Sequence, residues 1–171
     1  MYKKGLVFWL TGLPCSGKTT ISKKLKKYLK NKSESVQRLD GDILRKTISK
    51  DLGFSKKDRI KNIHRVAYLA KILADNGVNV IVALISPYQK SRDFARKVCP
   101  NFIEIYVKCS IEECKRRDIK GMYEKALKGK IIDFTGVQDS YEEPQNPEIT
   151  IDTEKLSTED DLKIIINYLK K

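Results

Sequence analysis

Short apolar runs alternate with amphipathic stretches along almost the whole chain. Residues 5–10 (GLVFWL) have strand length, and residues 19–29 then place Ile21, Leu25, Tyr28 and Leu29 on one helical face. Residues 35–39 read as a second strand that ends on Asp40-Gly41-Asp42. A helix opening at or near Asp58 repeats Ile60, Ile63, Ala67, Ala70 and Leu73 or Ala74 at helical spacing, and Asn76-Gly77 stops it. Residues 78–85 form the most apolar run, which predicts the central strand of the sheet. Ser86-Pro87 interrupts that run; residues 88–98 then predict a helix, 102–107 a strand, and 110–117 a helix capped by Ser110.

From 118 to 147 the periodicity fades while glycine, lysine and proline rise, which predicts a mobile segment. Residues 149–151 read as a last strand, and Leu162, Ile165, Ile166 and Leu169 mark a closing helix. Such alternation predicts an α/β fold of three layers, with a mostly parallel central sheet covered by helices on both faces. The ligand is then expected at the carboxyl ends of the strands.

The 171 residues suit a single domain, 1–171, and no linker divides them. Apolar residues at 40% and charged residues at 33% place the chain among globular proteins. A net charge of +13 suggests either a lysine-rich surface or a field that gathers small anionic substrates. The lysines are spread along the chain without a compact patch or a nucleic-acid motif, so neither a nucleic-acid nor a membrane partner is expected. No apolar run approaches the ~20 residues of a membrane span. Lys3 and Lys4 before residues 6–10 imitate a very short signal peptide, but a phosphate loop follows at once. Cys15, Cys99, Cys109 and Cys114 form no C-x-x-C pair, and His64 is the single histidine; reduced thiols in a cytoplasmic protein are expected.

Residues 12–19 (GLPCSGKT) fit G-x-x-x-x-G-K-[ST] between a strand and a helix. Gly12, Ser16, Gly17, Lys18, Thr19 and Thr20 are therefore assigned to the phosphates of a nucleoside triphosphate. Lys18 is expected at the β- and γ-phosphates, and the Thr19 hydroxyl on Mg2+. Cys15 has no histidine near it in sequence and reads as a small loop residue. Asp40 and Asp42 stand two apart, and Gly41 is expected to turn the chain and present them separately. One can hold a magnesium-bound water while the other accepts a proton from an attacking hydroxyl. D-x-x-G and N-K-x-D, which a switch GTPase would carry, are absent.

Arg45, Arg59, Arg65, Arg92, Arg96, Arg116, Arg117 and Lys120 form a pool of cations for an anionic acceptor, with surface charge the default for each. His64 is balanced between an anion-facing role and helix polarity. Phe54 and Phe134 interrupt polar segments and suit either local anchors or base-stacking plates.

Taken together, residues 12–20, 40–45, 51–59 (DLGFSKKDR), 85–92 (ISPYQKSR), 114–131, 133–136 (DFTG) and 141–148 (YEEPQNPE) closely resemble the adenylylsulfate kinase family. The resemblance implies a P-loop nucleotide kinase fold with a lid at about 118–147, ATP and Mg2+ as cofactors, and a homodimer. It implies phosphorylation of the ribose 3'-hydroxyl of adenosine 5'-phosphosulfate. By that similarity Asp42 is the catalytic base, assisted by Lys18, and Asp40 helps to organise the metal with Thr19. Arg45, Arg59, Asn62, Lys120 and the backbone of Ile85, Ser86, Pro87 and Tyr88 bind the acceptor. Phe54 and Phe134 wall its base, and Arg117 lies over the ATP adenine. Pro14-Cys15 replaces a more usual Ser-Gly or Ser-Ala, Lys61 stands where glutamate is common, and His64 replaces the first arginine of a common pair. A divergent branch phosphorylates related activated nucleotides such as cytidine diphosphoramidate, which gives the alternative acceptor. A nucleic-acid-binding P-loop protein is the alternative of another class.

Overall fold

The computed structural model describes residues 4–170, so Lys3 lies outside the described residues. Five strands and seven helices follow in the order β1 (Val7–Thr11), α1 (Lys18–Asn31), β2 (Val36–Asp40), α2 (Gly41–Lys46), α3 (Lys56–Asp75), β3 (Asn79–Ala83), α4 (Gln89–Val98), β4 (Phe102–Lys108), α5 (Ile111–Arg116), α6 (Met122–Leu127), β5 (Ile149–Asp152) and α7 (Thr158–Leu169). The strands form one all-parallel sheet in the order β2-β3-β1-β4-β5.

Hydrophobic run length misplaced the sheet's centre. β1, not β3, is the middle strand, although both are buried on both faces. An apolar run reports burial, and two interior strands are equally buried; the crossover connections decide their order.

Period-two alternation sorts the strand residues into two cores. Val7, Trp9, Val80 and Val82 face α3 and α4, packing on Ile63, Val66, Ala67, Ala70, Ala74 and Ala95. Phe8, Leu10, Ile81, Ile103, Ile105 and Val107 face the other side, against Ile21, Leu25, Leu29 of α1 and Ile165 of α7. The small residues of α3 let that helix lie close to the sheet. Each fully buried Leu, Ile or Phe contributes about 1.5–3 kcal/mol of transfer free energy.

Caps explain where the helices begin. Ser55 caps α3 by accepting from the Asp58 amide at 3.2 Å, so the helix opens at Lys56, two residues before the aspartate that marks it in sequence. Ser110 caps α5 as expected, accepting from the Glu113 amide.

The segment 118–147 carries more structure than its composition predicts. It contains α6, and Cys109, Cys114, Tyr123, Ala126 and Phe134 form a third small core beside the phosphate loop. Gly121, at φ 62°, precedes α6 and offers no capping side chain. The Asp118 carboxylate substitutes, accepting from the Tyr123 amide at 2.7 Å and the Lys120 amide at 3.2 Å. A six-residue helix capped from outside has no local sequence signature.

Topology locates the site. The chain leaves β1 toward β2 on one side, and leaves β3 toward β4 on the other, so a crevice opens at the carboxyl ends of these two neighbours. Pairing of Leu10 and Asp40 with Ala83, and of Thr11 with Tyr106, keeps those ends level. The loops after β1, β2 and β3 therefore meet.

Candidate active site

The loop after β1 is shaped by its glycines. At Gly12, φ 155°, a Cβ would stand 2.5 Å from the Val107 carbonyl oxygen, so no other residue fits there. Gly17 takes φ 99° just before α1, which turns the first helical amides toward the loop. Ser16 is fully buried. Cys15 adopts φ 64°, a conformation that favours glycine, and its thiol lies 3.8 Å from a carboxylate oxygen of Asp118. Burial, then the Asp118 charge, pushes this thiol above its ordinary pKa, which leaves it a poor nucleophile at neutral pH.

Lys18 is almost wholly buried, and its ammonium donates to the Gly12 and Leu13 carbonyls at 2.9 and 2.6 Å and to the Ser16 hydroxyl at 3.3 Å. Desolvation lowers its pKa from 10.5 to about 8. Below about pH 8 the buried cation costs the fold stability, and the cost is relieved as pH rises toward 10.5, where the unfolded chain binds more protons. Phosphate charge favours the ammonium, so triphosphate binding above about pH 8 is expected to take up a proton. Affinity should then fall with pH toward tenfold per unit. Calorimetry in two buffers of different ionisation heat measures the uptake, and a Kd that stays flat between about pH 7 and 9.5 would count against it.

Asp40 closes β2 and turns the chain as well. Its buried carboxylate caps α2, accepting from the Asp42 amide at 3.1 Å, and pairs with Arg38 at 2.6 Å. The cap separates the two carboxylates: Asp42 projects from the first turn of α2 with its side chain 79% exposed. Lys120 reaches Asp42 from the segment 118–147 at 3.2 Å. Both partners are exposed, so this ion pair stabilises the fold by little.

A cavity of about 730 Å³ joins these loops. Lys18, Thr19, Asp40 and Asp42 line it. Arg45, Phe54, Arg59 and Asn62 line it too, together with Ile85, Ser86 and Pro87 from the loop after β3 and Lys120 and Phe134 from the segment 118–147. Thirteen positions scattered from 18 to 134 in sequence thus share one space.

Arg45 and Arg59 stack on the same Phe54 ring, at 4.6 and 5.6 Å from its centre. Arg45 donates to the Leu52 and Gly53 carbonyls, and Arg59 to those of Phe54 and Asp133 at 2.8 and 2.5 Å. Burial lowers the pKa of both, and their mutual repulsion lowers that of Arg45 further, although arginine stays charged. Two fixed, repelling guanidiniums favour an anion between or beside them. The Asn62 carbonyl oxygen is buried without a hydrogen-bond partner, and its side chain borders the same cavity.

Ser86 adopts φ 48°, unusual for a side-chain-bearing residue, and contacts at its hydroxyl and its carbonyl hold it. Its hydroxyl accepts from the Trp9 indole at 3.0 Å, and its carbonyl accepts from Arg92 at 2.7 Å. Arg92 in turn pairs with buried Glu104 at 2.9 Å.

The remaining predicted residues lie elsewhere. Gly17 and Thr20 border a smaller recess with Cys15, Lys18 and Thr19. Gly12 and Ser16 act from within the loop. Tyr88 is buried outside the cavity and donates to Asp139 at 2.6 Å; burial and that carboxylate raise the phenol's pKa. Arg117 lies outside both spaces, held by Glu113 at 2.6 Å and by the Thr153 hydroxyl and carbonyl at 3.0 and 2.8 Å. Thr153 also donates to the Ser16 carbonyl at 3.1 Å, which ties Arg117 to the rim of the phosphate loop.

The cation pool divides. Arg65 grips Asp51 through two bonds of 2.6 and 2.7 Å, Arg96 pairs with Glu104 and Glu148, and Arg116 pairs with Glu113 on the surface. His64 is not among the residues that line the cavity. Its ring stacks on Phe94 of α4 at 3.8 Å, so helix packing explains the residue. Sequence reasoning missed Arg38, Asp139 and Thr153. Arg38 was within reach, because residues two apart on a strand share a face; Asp139 and Thr153 had no local signal.

A phosphate loop on the central strand, a carboxylate pair across from it and a cationic pocket beyond define a P-loop kinase. Comparison with known proteins narrows the class: the family model described as adenylylsulphate kinase matches residues 4–152. The chain belongs to the adenylylsulfate kinase family, whose members are ATP-dependent kinases.

It is 45% identical over 169 residues to the adenylyl-sulfate kinase of Halothermothrix orenii, covering 99% of this chain and 91% of that one. The Mycobacterium tuberculosis APS kinase in complex with AMPPNP and APS superposes with a TM-score of 0.94 at 37% identity, covering 98% and 99% of the two chains. A hexameric APS kinase from Thiobacillus denitrificans matches with a TM-score of 0.72 at 28% identity, over 98% of this chain and 29% of that one.

Proposed function

We propose that this protein transfers the γ-phosphoryl group of ATP to the ribose 3'-hydroxyl of adenosine 5'-phosphosulfate, giving 3'-phosphoadenosine 5'-phosphosulfate and ADP. The observation that carries the reading is the single cavity that sets Lys18 and Asp42 beside Arg45, Arg59 and Asn62. A donor end built for phosphates and an acceptor end built for a second anion suit two charged nucleotides meeting within one space.

In this reading the loop amides and Lys18 bind the triphosphate and stabilise charge on the transferring group. Asp42 accepts the proton of the attacking hydroxyl. Arg45 and Arg59 bind the acceptor's anionic groups, Asn62 and Lys120 bind the same nucleotide, with the free Asn62 carbonyl oxygen open to a donor on it, the backbone at 85–88 supports it, and Phe54 and Phe134 flank its base. Arg117, at the rim, takes the ATP adenine. The segment 118–147 acts as the lid that excludes water from the reaction.

Thr19 and Asp40 fit Mg2+ in kind, being hard oxygen donors that line the same cavity. Mg2+ bound there would neutralise phosphate charge. Arg38, paired with Asp40, fixes that carboxylate's direction.

A homodimer in the cytoplasm belongs to the same reading. All four cysteines are free thiols, as a reducing compartment would keep them, and no described helix is long and apolar enough to cross a membrane.

The test is a steady-state comparison of adenosine 5'-phosphosulfate with cytidine diphosphoramidate at fixed ATP and Mg2+. A kcat/KM at least ~100-fold higher for the sulfate nucleotide, about 2.7 kcal/mol, is expected. The reverse preference would move the protein to the branch that uses the cytidine nucleotide.

A further inference from the structure

Thr11 is the last residue of β1, fully buried, and none of the roles assigned so far uses it. Its hydroxyl lies 2.7 Å from the Ile85 carbonyl, 3.4 Å from the Ser86 carbonyl and 2.9 Å from the Tyr141 hydroxyl. A threonine has one proton to give, and the short contact to Ile85 takes it; Tyr141 must then donate to Thr11. Burial raises the Tyr141 pKa, so the phenol keeps the proton that this requires.

Three functional segments meet at this hydroxyl. The phosphate loop begins at the next residue, Gly12, whose amide also donates to the Ile85 carbonyl, at 3.4 Å. Ile85 and Ser86 open the loop after β3, which lines the cavity. Tyr141 closes the segment that supplies Lys120 and Phe134. Glu142 continues the seam: its amide donates to Pro87, its carboxylate accepts from the Gln89 amide, and its carbonyl accepts from Arg92, at 2.8, 2.6 and 2.6 Å.

We propose that Thr11 is a positioning residue whose hydroxyl latches the acceptor loop and the downstream end of the segment 118–147 to the strand that carries the phosphate loop. Phosphoryl transfer is governed by the separation and alignment of two bound substrates, and a misplacement of about 1 Å can cost ~100-fold. A bond that fixes the acceptor loop to the donor loop acts on that alignment without touching either substrate. The inference rests on reading residues 85–88 as the acceptor loop of a 3'-hydroxyl kinase.

Thr11→Val keeps the shape and removes the hydroxyl, Thr11→Ser keeps the hydroxyl, and Tyr141→Phe removes the second donor. The rates are taken on whichever of the two nucleotides the wild-type enzyme phosphorylates, so a wrong acceptor fails the functional reading and leaves the latch still on trial. Thr11→Val is expected to lower kcat by about 10-fold or more and raise acceptor KM, with ATP KM within ~2-fold of wild type. Thr11→Ser should recover to within ~3-fold, and Tyr141→Phe should add nothing to Thr11→Val in the double variant.

Three results would overturn the proposal. One is a Thr11→Val enzyme with a lower Tm and unchanged kinetics, which marks a structural residue. Another is Thr11→Ser as impaired as Thr11→Val, which assigns the effect to packing. The third is multiplicative losses in the double variant, which separate Thr11 from Tyr141.

Discussion

Lys18→Met is expected to lower kcat/KM by at least ~10³-fold, about 4.1 kcal/mol of transition-state stabilisation, while leaving the protein folded. The ammonium is the buried cation of the phosphate loop and sits among oxygens of Gly12, Leu13 and Ser16. Methionine keeps most of the side chain's length and removes a charge whose burial is already unfavourable, as the lowered pKa of Lys18 records. Thermal melting should therefore give a Tm equal to or above the wild-type value, even though catalysis is lost. A variant that retains kinase activity within ~10-fold would remove Lys18 from the mechanism.

Asp42→Asn is the second large effect. Removing a positioned general base costs about 10²–10⁴-fold, and here it should appear in kcat with acceptor KM changed by less than ~3-fold. Asp42 is exposed, and its pairing with Lys120 stabilises little, so Tm should stay within about 2 °C. Asp40→Asn provides the contrast. That carboxylate is buried, caps α2 and neutralises Arg38, so its loss should lower stability as well as rate. Equal losses of Tm in the two variants would show that the carboxylates do not divide structural and chemical work as their burial implies.

Those contrasts show how far sequence alone could go. GLPCSGKT between a strand and a helix specifies a phosphate loop because glycine freedom, helix-terminal amides and a lysine at fixed spacing are local requirements. D-G-D announces two carboxylates, yet their inequality was hidden, since burial of Asp40 and exposure of Asp42 come from a cap and an ion pair formed on folding. His64 shows the same limit. In sequence it was balanced between an anion-facing role and helix polarity, and in the fold it is a ring stacked on Phe94 from another helix.

The pattern of apolar and polar positions determined the alternation of strands and helices, the three layers and the phosphate loop, because each depends on periodicity or on residues within one turn of each other. Tertiary structure decided which strand is central and which cations face the cavity. It also decided that Thr11, Ile85 and Tyr141 share a hydrogen-bonded seam. These outcomes depend on crossovers and on contacts between residues as far as 130 positions apart, so no short window of sequence carries their energies.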